Sequence, residues 1–129
     1  MILREVKPDD MRFLYDLRNH PEIRAVSHST KVFTYDEHCD WWRLKLTTRG
    51  CEASIIEYED KSVGVIRRNG EYISIAILPG YQNQGLGTKA IQSFSKKGDV
   101  ANALCGNIRS IHTFEKAGFK KAYIVLIKD

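Results

Sequence analysis

At 129 residues, 43% hydrophobic and 28% charged, the chain has the composition of one soluble globular domain with a core of its own. No apolar run approaches a membrane span, and Met1-Ile2-Leu3-Arg4 opens a strand rather than a signal peptide. A net charge of +4 permits a polyanionic ligand, but no Lys/Arg run exceeds two residues, which argues against nucleic acid.

Residues 1–6 read as a short strand. Pro8 suits a first helical position, Asp9 and Asp10 favour the first turn, and Met11, Phe13, Leu14 and Leu17 form the apolar face of a helix that Pro21 stops. Residues 19–33 are polar and irregular. Thr34 and Glu37 make a capping box for a second helix carrying Trp41, Trp42, Leu44 and Leu46. Three strands at 51–58, 61–68 and 71–78 form a meander with turns at Glu59-Asp60 and Asn69-Gly70, the second a strong hairpin signal. A helix over 88–97, a strand at 100–105, a helix over 107–117 and a last strand at 123–127 complete the order βααβββαβαβ. That order is an α/β domain, a mixed sheet with helices packed on it, spanning 1–129. Cys39, Cys51 and Cys105 are odd in number and far apart, as suits a reducing cytoplasm, and none stands beside a base as a nucleophile. His20, His28, His38 and His112 lack the spacing of metal ligands.

The chemistry concentrates in residues 71–91. Ile73, Ile75 and Ile77 alternate with Tyr72, Ser74 and Ala76, so the strand buries one face. Pro79 and Gly80 end it, and the loop Gln82-Asn83-Gln84-Gly85-Leu86-Gly87 empties into a helix beginning near Thr88. Amides at a helix N-terminus lack intrahelical acceptors, and with the helix dipole they make an anion site. Two nucleotide motifs come near and fail. Gly80 and Gly85 have the glycine separation of a P-loop, but Leu86 and Gly87 replace its lysine and hydroxyl. Gly85-Leu86-Gly87-Thr88-Lys89-Ala90 loosely matches a dinucleotide fingerprint, without the acid at the end of the next strand.

The loop resembles the Gln/Arg-x-x-Gly-x-Gly/Ala signature of the GNAT superfamily of acyl-CoA-dependent N-acetyltransferases. A second stretch, from Asn107 through Phe114 to Lys116-Ala117-Gly118-Phe119, is similar to that superfamily's other signature. The resemblance implies a mixed, mostly antiparallel sheet flanked by about four helices. Only ten residues follow Phe119, so the C-terminal strand region is shortened, and the sheet edge is either open or covered by a second subunit of a homodimer. It also implies acetyl-CoA as cofactor: the amides of Asn83 to Thr88, with Gln82, on the pyrophosphate; the main chain of Ile75, Ala76 and Ile77 on the pantetheine arm; and Asn107 and Lys116 as further contacts. The Ile77 amide would also polarise the thioester carbonyl. The family's tyrosine general acid is replaced by Phe114, with Tyr72, Tyr81, Tyr123 or water as substitutes. Glu71 and Ser74 are the candidate bases.

The N-terminal half resembles acetyltransferases of nucleotide-linked amino sugars, through Arg18-Asn19 after the first helix and His38-Cys39-Asp40-Trp41 in the second. That likeness makes the acceptor a small-molecule amine with Asn19 among its contacts; Arg24, Arg67 or a tryptophan face such as Trp41 suits a diphosphate and a base, and His20 and His28 of the polar segment suit substrate contact rather than catalysis. With no cysteine marked as a nucleophile, attack is direct, without an acyl-enzyme. Two other readings stand: an acetyltransferase of ribosomal-protein N-termini, and an acyl-CoA-binding domain without activity.

Overall fold

The computed structural model describes residues 1–27, 29 and 31–129. Its sheet has four strands in chain order, β1 (Ile2–Glu5), β2 (Cys51–Tyr58), β3 (Lys61–Asn69) and β4 (Tyr72–Ile77), each antiparallel to the next. The β2–β3 turn holds Glu59 and Asp60 at φ of 52° and 63°, the left-handed pair that matches the twist of a two-residue hairpin. A bulge at Ile56/Glu57 shifts the β2–β3 register. Gly70, at φ 65°, turns β3 into β4.

Helices cover both faces. On one side lie α1 (Met11–Asn19), α2 (Pro21–Ala25) and α3 (Tyr35–Thr47); on the other lie α4 (Leu86–Phe94) and α5 (Ile108–Lys116). Each side has its own core. Ile56, Val63, Ile66, Ile73 and Ile77 meet Leu86, Ala90, Ile91 and Phe114 on the α4/α5 side. Ile55 and Val65 meet Leu14, Leu17, Ile23 and Trp42 on the other. Strand alternation sends neighbouring residues to opposite cores.

The caps follow the sequence closely. The Thr34 hydroxyl accepts the Glu37 N–H, and the Glu37 carboxylate accepts the Thr34 N–H, both at 3.2 Å. At the end of α5, Gly118 (φ 105°) lets the Phe119 N–H reach the Phe114 carbonyl at 3.0 Å and the Gly118 N–H reach that of Glu115 at 3.0 Å. This is a Schellman closure, with Phe114 against Phe119 at a ring separation of 5.1 Å. Near the N-terminus Asp10 is buried. It forms a bidentate pair with Arg4 at 2.7 and 2.8 Å and accepts the Lys7 N–H. Those bonds, Arg4 foremost, hold its carboxyl below the usual range against the effect of burial.

Five expectations are corrected. Of 100–105 only Val100 bridges to β4, in parallel with Tyr72. The chain then leaves the sheet, because the Asn107 N–H bonds the Leu104 carbonyl at 2.8 Å in the turn that starts α5. Residues 123–127 form no strand and stand 68–89% exposed. Their composition suits a strand, but three residues after the Schellman closure bring them to no sheet edge. The helix expected over 88–97 starts earlier, at Leu86, and ends at Phe94, since the Asp99 carboxylate accepts the Lys96 N–H at 2.7 Å and draws the chain into a turn. Leu44 and Leu46 are exposed, and α3 instead buries His38, Cys39 and Trp42. The polar 19–33 stretch contains α2, whose N-cap is His20: its Nδ1 accepts the Glu22 N–H at 3.2 Å. His28 lies outside the described residues.

Candidate active site

Strand β4 has one side committed and one side free. Ser74 lies opposite Arg67 and Ala76 opposite Val65. The Ile73 N–H points the other way, to the Val100 carbonyl at 2.9 Å, and the Val100 N–H returns to the Glu71 carbonyl at 2.7 Å. Antiparallel pairing alternates, so Ile75 and Ile77 also turn their N–H and C=O groups away from β3. Beyond Val100 no strand meets them, because 101–104 has left the sheet. The Ile77 carbonyl receives the Gln82 side-chain amide at 2.8 Å. Ala76 does not belong to this free edge, contrary to the sequence expectation: its main chain faces β3 and its side chain packs in the α1–α3 core.

At the end of β4, Pro79–Tyr81 makes a short 3-10 turn and the loop delivers Gly85 to the start of α4. Gly85 takes φ 77°, a left-handed conformation glycine adopts without Cβ strain, and Asn83 takes φ 61°. Lacking a side chain, Gly85 cannot cap the helix. The first intrahelical bond at this end is Lys89 N–H to the Gly85 carbonyl, 3.1 Å, so the amides of Leu86, Gly87 and Thr88 have no intrahelical acceptor. Gln84 donates to the Gly80 carbonyl at 3.4 Å, and Gln82 Oε1 is buried without a partner among the described residues.

Gly87 has a different duty. A Cβ there would stand 2.9 Å from Thr113 Cγ2 and 3.4 Å from Ile77 Cδ1, so its absence lets α4 close on α5 and on β4. Across that contact, Asn107 caps α5: its Oδ1 accepts the Ser110 N–H at 3.3 Å, which leaves the Nδ2 donors for another partner. Lys116 is exposed in the last turn of α5. Phe114 is 6% exposed in the core, so the position of the family's tyrosine offers no hydroxyl. Of the three substitute tyrosines, Tyr81 alone sits in the motif loop, half-buried with its ring 6.5 Å from that of Tyr58; Tyr72 and Tyr123 are exposed.

The candidate bases separate. Glu71 lies six residues before Ile77, about 20 Å along an extended strand at ~3.3 Å per residue, so the two cannot serve one reacting centre. Ser74 is half-buried on the α1–α3 side, opposite Arg67. The Arg67 guanidinium lies 5.0 Å from the Trp41 ring centroid, and Trp41 stacks with His38 at 6.5 Å and meets Trp42 edge-on at 5.1 Å. Asn19 brackets Phe33, its Oδ1 accepting the Phe33 N–H and its Nδ2 donating to the Phe33 carbonyl, at 3.3 and 3.4 Å. Asn19 and His20 are thus committed to shaping the 20–33 loop.

Sequence reasoning missed two residues that the structure brings forward. Arg18 donates to the Ser29 carbonyl at 2.9 Å with its guanidinium 5.2 Å from the Phe33 ring. Its signal was a charge four residues after Leu14, at the edge of the buried stripe of α1. Arg68 is 7% exposed, ion-paired with Asp99, and donates to Glu52 and to the Phe94 carbonyl at 3.3 Å each. Its signal was a second arginine on a strand with only one solvent-facing partner strand position. Among the described residues no three His, Cys, Asp or Glu side chains gather as metal ligands, and no helix is long and apolar enough to cross a membrane.

Comparison with known proteins agrees with this architecture. No curated protein sequence matches the chain. Among solved structures, the Vibrio cholerae spermidine N-acetyltransferase in complex with CoA and spermine superimposes with a TM-score of 0.81 at 17% identity, over 95% of this chain and 82% of that one. The aminoglycoside acetyltransferase AAC(6')-Ib with ribostamycin and coenzyme A gives 0.76 at 18% identity, over 93% and 83%. A domain from Methanocaldococcus jannaschii gives 0.74 at 24%, over 94% and 88%. These likenesses are likenesses of fold. The acetyltransferase (GNAT) domain model matches residues 1–120, and the chain belongs to that family of N-acetyltransferases.

Proposed function

We propose that the chain, as a single catalytic domain, transfers the acetyl group of acetyl-CoA to the primary amine of a nucleotide-linked amino sugar. The observation that carries the transfer reading is the free side of β4 continuous with an uncapped helix start. Peptide groups facing a cleft need partners, and the Ile75 N–H and C=O suit a pantetheine amide in strand-like pairing. The amides from Asn83 to Thr88, with Gln82 holding the loop to Ile77, suit the pyrophosphate. Asn107 Nδ2 and Lys116 are further contacts for the cofactor. Neighbours of this fold were solved with CoA or acetyl-CoA bound, which supports the same ligand here.

In the reaction the neutral amine attacks the thioester carbon, the carbonyl oxygen becomes an oxyanion facing the Ile77 N–H, and collapse expels the thiolate while the amine loses its proton to water. With Phe114 in the core no acid stands at the family's tyrosine position. A thiol of pKa ~8.5 leaves as thiolate without one. Cys39 is buried, and among the described residues no hydrogen bond joins Cys51 or Cys105 to a base, which supports direct attack in a ternary complex.

The acceptor reading rests on the α1–α3 side. There Arg67 and Trp41 offer a guanidinium and an aromatic face, which suit a phosphate and a ring. Spermidine is a polycation and is poorly matched to such a wall. The reading extends to a cytoplasmic reaction, in keeping with three free cysteines, and to self-association through the exposed apolar run 123–127. A monomer by light scattering removes the last point.

The test is release of CoA thiol from acetyl-CoA with nucleotide-linked amino sugars, amino-terminal peptides and spermidine in parallel. Turnover with the sugars alone is expected. Turnover with peptides alone moves the protein to the N-terminal acetyltransferases, and turnover with spermidine alone discards the anionic acceptor. Acetyl-CoA binding without any turnover indicates a binding domain.

A further inference from the structure

Extending the self-association named above and resting on it, we propose that residues 121–129 pair with the same residues of a second copy, as antiparallel strands related by a two-fold axis centred on Val125. The run Tyr123-Ile124-Val125-Leu126-Ile127 stands 68–89% exposed, and after the Phe119 N–H no backbone group is hydrogen-bonded among the described residues. An unbroken row of β-branched, aromatic and aliphatic residues, without alternation, suits a strand covered on both faces. Idle N–H and C=O groups along such a run are a template for another strand, and the run reaches no edge of its own sheet. A specific interface removes about 800 Å² per partner, and five large side chains so exposed supply an area of that order.

Symmetry and charge together choose the register. A two-fold axis keeps each residue on its own face of the ribbon, so the pairing is centred on one residue rather than between two. Centred on Val125, Tyr123 meets Ile127 and Ile124 meets Leu126, the apolar set closes on itself, and Lys121 meets Asp129 at both ends. Centred one residue earlier, on Ile124, Lys120 meets Lys128. Centred one residue later, on Leu126, Lys128 lies opposite Ile124 and Asp129 opposite Tyr123. Like charges directly opposite destabilise a ladder, whereas opposite charges and aromatic–β-branched pairs stabilise it. Lys121 and Asp129 are exposed and form no ion pair among the described residues, so both are free for the partner. The flanking lysines would also suit an anionic lipid surface. Hydrocarbon, however, leaves backbone N–H and C=O groups unpaired at a cost, and a second strand pairs them.

Sedimentation of the wild-type chain is expected to show a dimer, and Leu126→Asp, at the most exposed position of the run, a monomer that still folds. Lys121→Glu and Asp129→Lys are each expected to weaken dimerisation at least about tenfold. The exposed control Lys97→Glu, with the same change of charge as Lys121→Glu, is expected to leave it as it was. Mixed in equal amounts, the Lys121→Glu and Asp129→Lys chains are expected to recover a heterodimer of wild-type affinity, because each altered residue then meets its opposite charge. A dimer indifferent to both substitutions, or a mixture that stays monomeric, overturns the pairing. So does a wild type that stays monomeric, whether or not it binds vesicles containing phosphatidylserine. Acetyl-CoA binding and CoA-thiol release are measured on the same samples. Turnover by a monomer overturns the pairing alone, and a dimer that binds no acetyl-CoA overturns the transfer reading alone.

Discussion

The two faces of the sheet handle polarity in opposite ways. On the α4/α5 face the wall is aliphatic, and the polar groups available to a ligand belong mainly to the main chain: the free side of β4 and the first amides of α4. On the α1–α3 face the aliphatic core thins into tryptophans, His38 and guanidiniums, with Arg18 Nη1, Arg24 Nε and Trp42 Nε1 unpartnered among the described residues. Backbone groups left free at a helix start need a fixed φ before them, so their trace is the left-handed Gly85, while Gly87 marks the close packing of α4 on α5. Side chains need only meet, and here Arg67 of β3 meets Trp41 of α3, which stacks with His38.

The sharpest way to break the comparison is to remove the cation of the ion pair embedded on the aliphatic face. Arg68→Met leaves Asp99 buried beside a lost partner, and stability is expected to fall by about 3–5 kcal/mol, read as a lower urea midpoint. Acceptor preference among the molecules that still fold is expected to stay as it was. Next, Gly87→Val drives a side chain into Thr113 and Ile77. An expected loss of about 1–3 kcal/mol should accompany a raised KM for acetyl-CoA, with the acceptor KM spared. An unchanged acetyl-CoA KM would deny that the α4–α5 contact shapes the cofactor cleft.

Smaller again is Asn107→Ala, which removes the cap of α5 at about 1 kcal/mol. Any rise in acetyl-CoA KM beyond that of an equally destabilised variant measures the Nδ2 contact. The gentlest probe is acid on the other face. Burial, then the Arg18 charge, lowers the proton affinity of His38, which Tyr15, Phe33, Trp41 and Trp42 otherwise surround with rings. The unfolded chain therefore takes up this proton first. Stability from the neutral imidazole is complete above the ordinary histidine pKa of ~6.5 and is lost as pH falls below it. Urea midpoints between pH 5 and 7.5 should show that decline, flattened in His38→Phe.

Much of the fold was legible because it is local. Thr34 with Glu37, Gly118 with its Schellman bonds, and the turn at Glu59-Asp60 each solve a hydrogen-bonding problem within a few residues of themselves. The run 123–127 misled because strand composition says nothing about whether an edge lies within reach. The missing last turn of α4 was illegible for a similar reason: Asp99 takes the Lys96 amide only where Arg68, thirty-one residues back, already holds that carboxylate. In the site, the glycine loop and Asn107 could be read from spacing. Arg18 could be read as part of the Arg18-Asn19 pair, but its bond to the Ser29 carbonyl and its place over Phe33 could not, since both partners come from later in the chain.

The left-handed turn at Gly70, its N–H bonded to the Gly50 carbonyl at 2.9 Å, sets how β4 is offset against β3. Odd-numbered residues of β4 thereby turn their backbone groups to the free edge, while even-numbered residues turn their side chains to the α1–α3 side. An offset of one residue would exchange the two sets. A single hairpin thus acts as the common gauge for the free edge of β4 and for the α1–α3 face, and an insertion or deletion there is expected to shift both at one stroke.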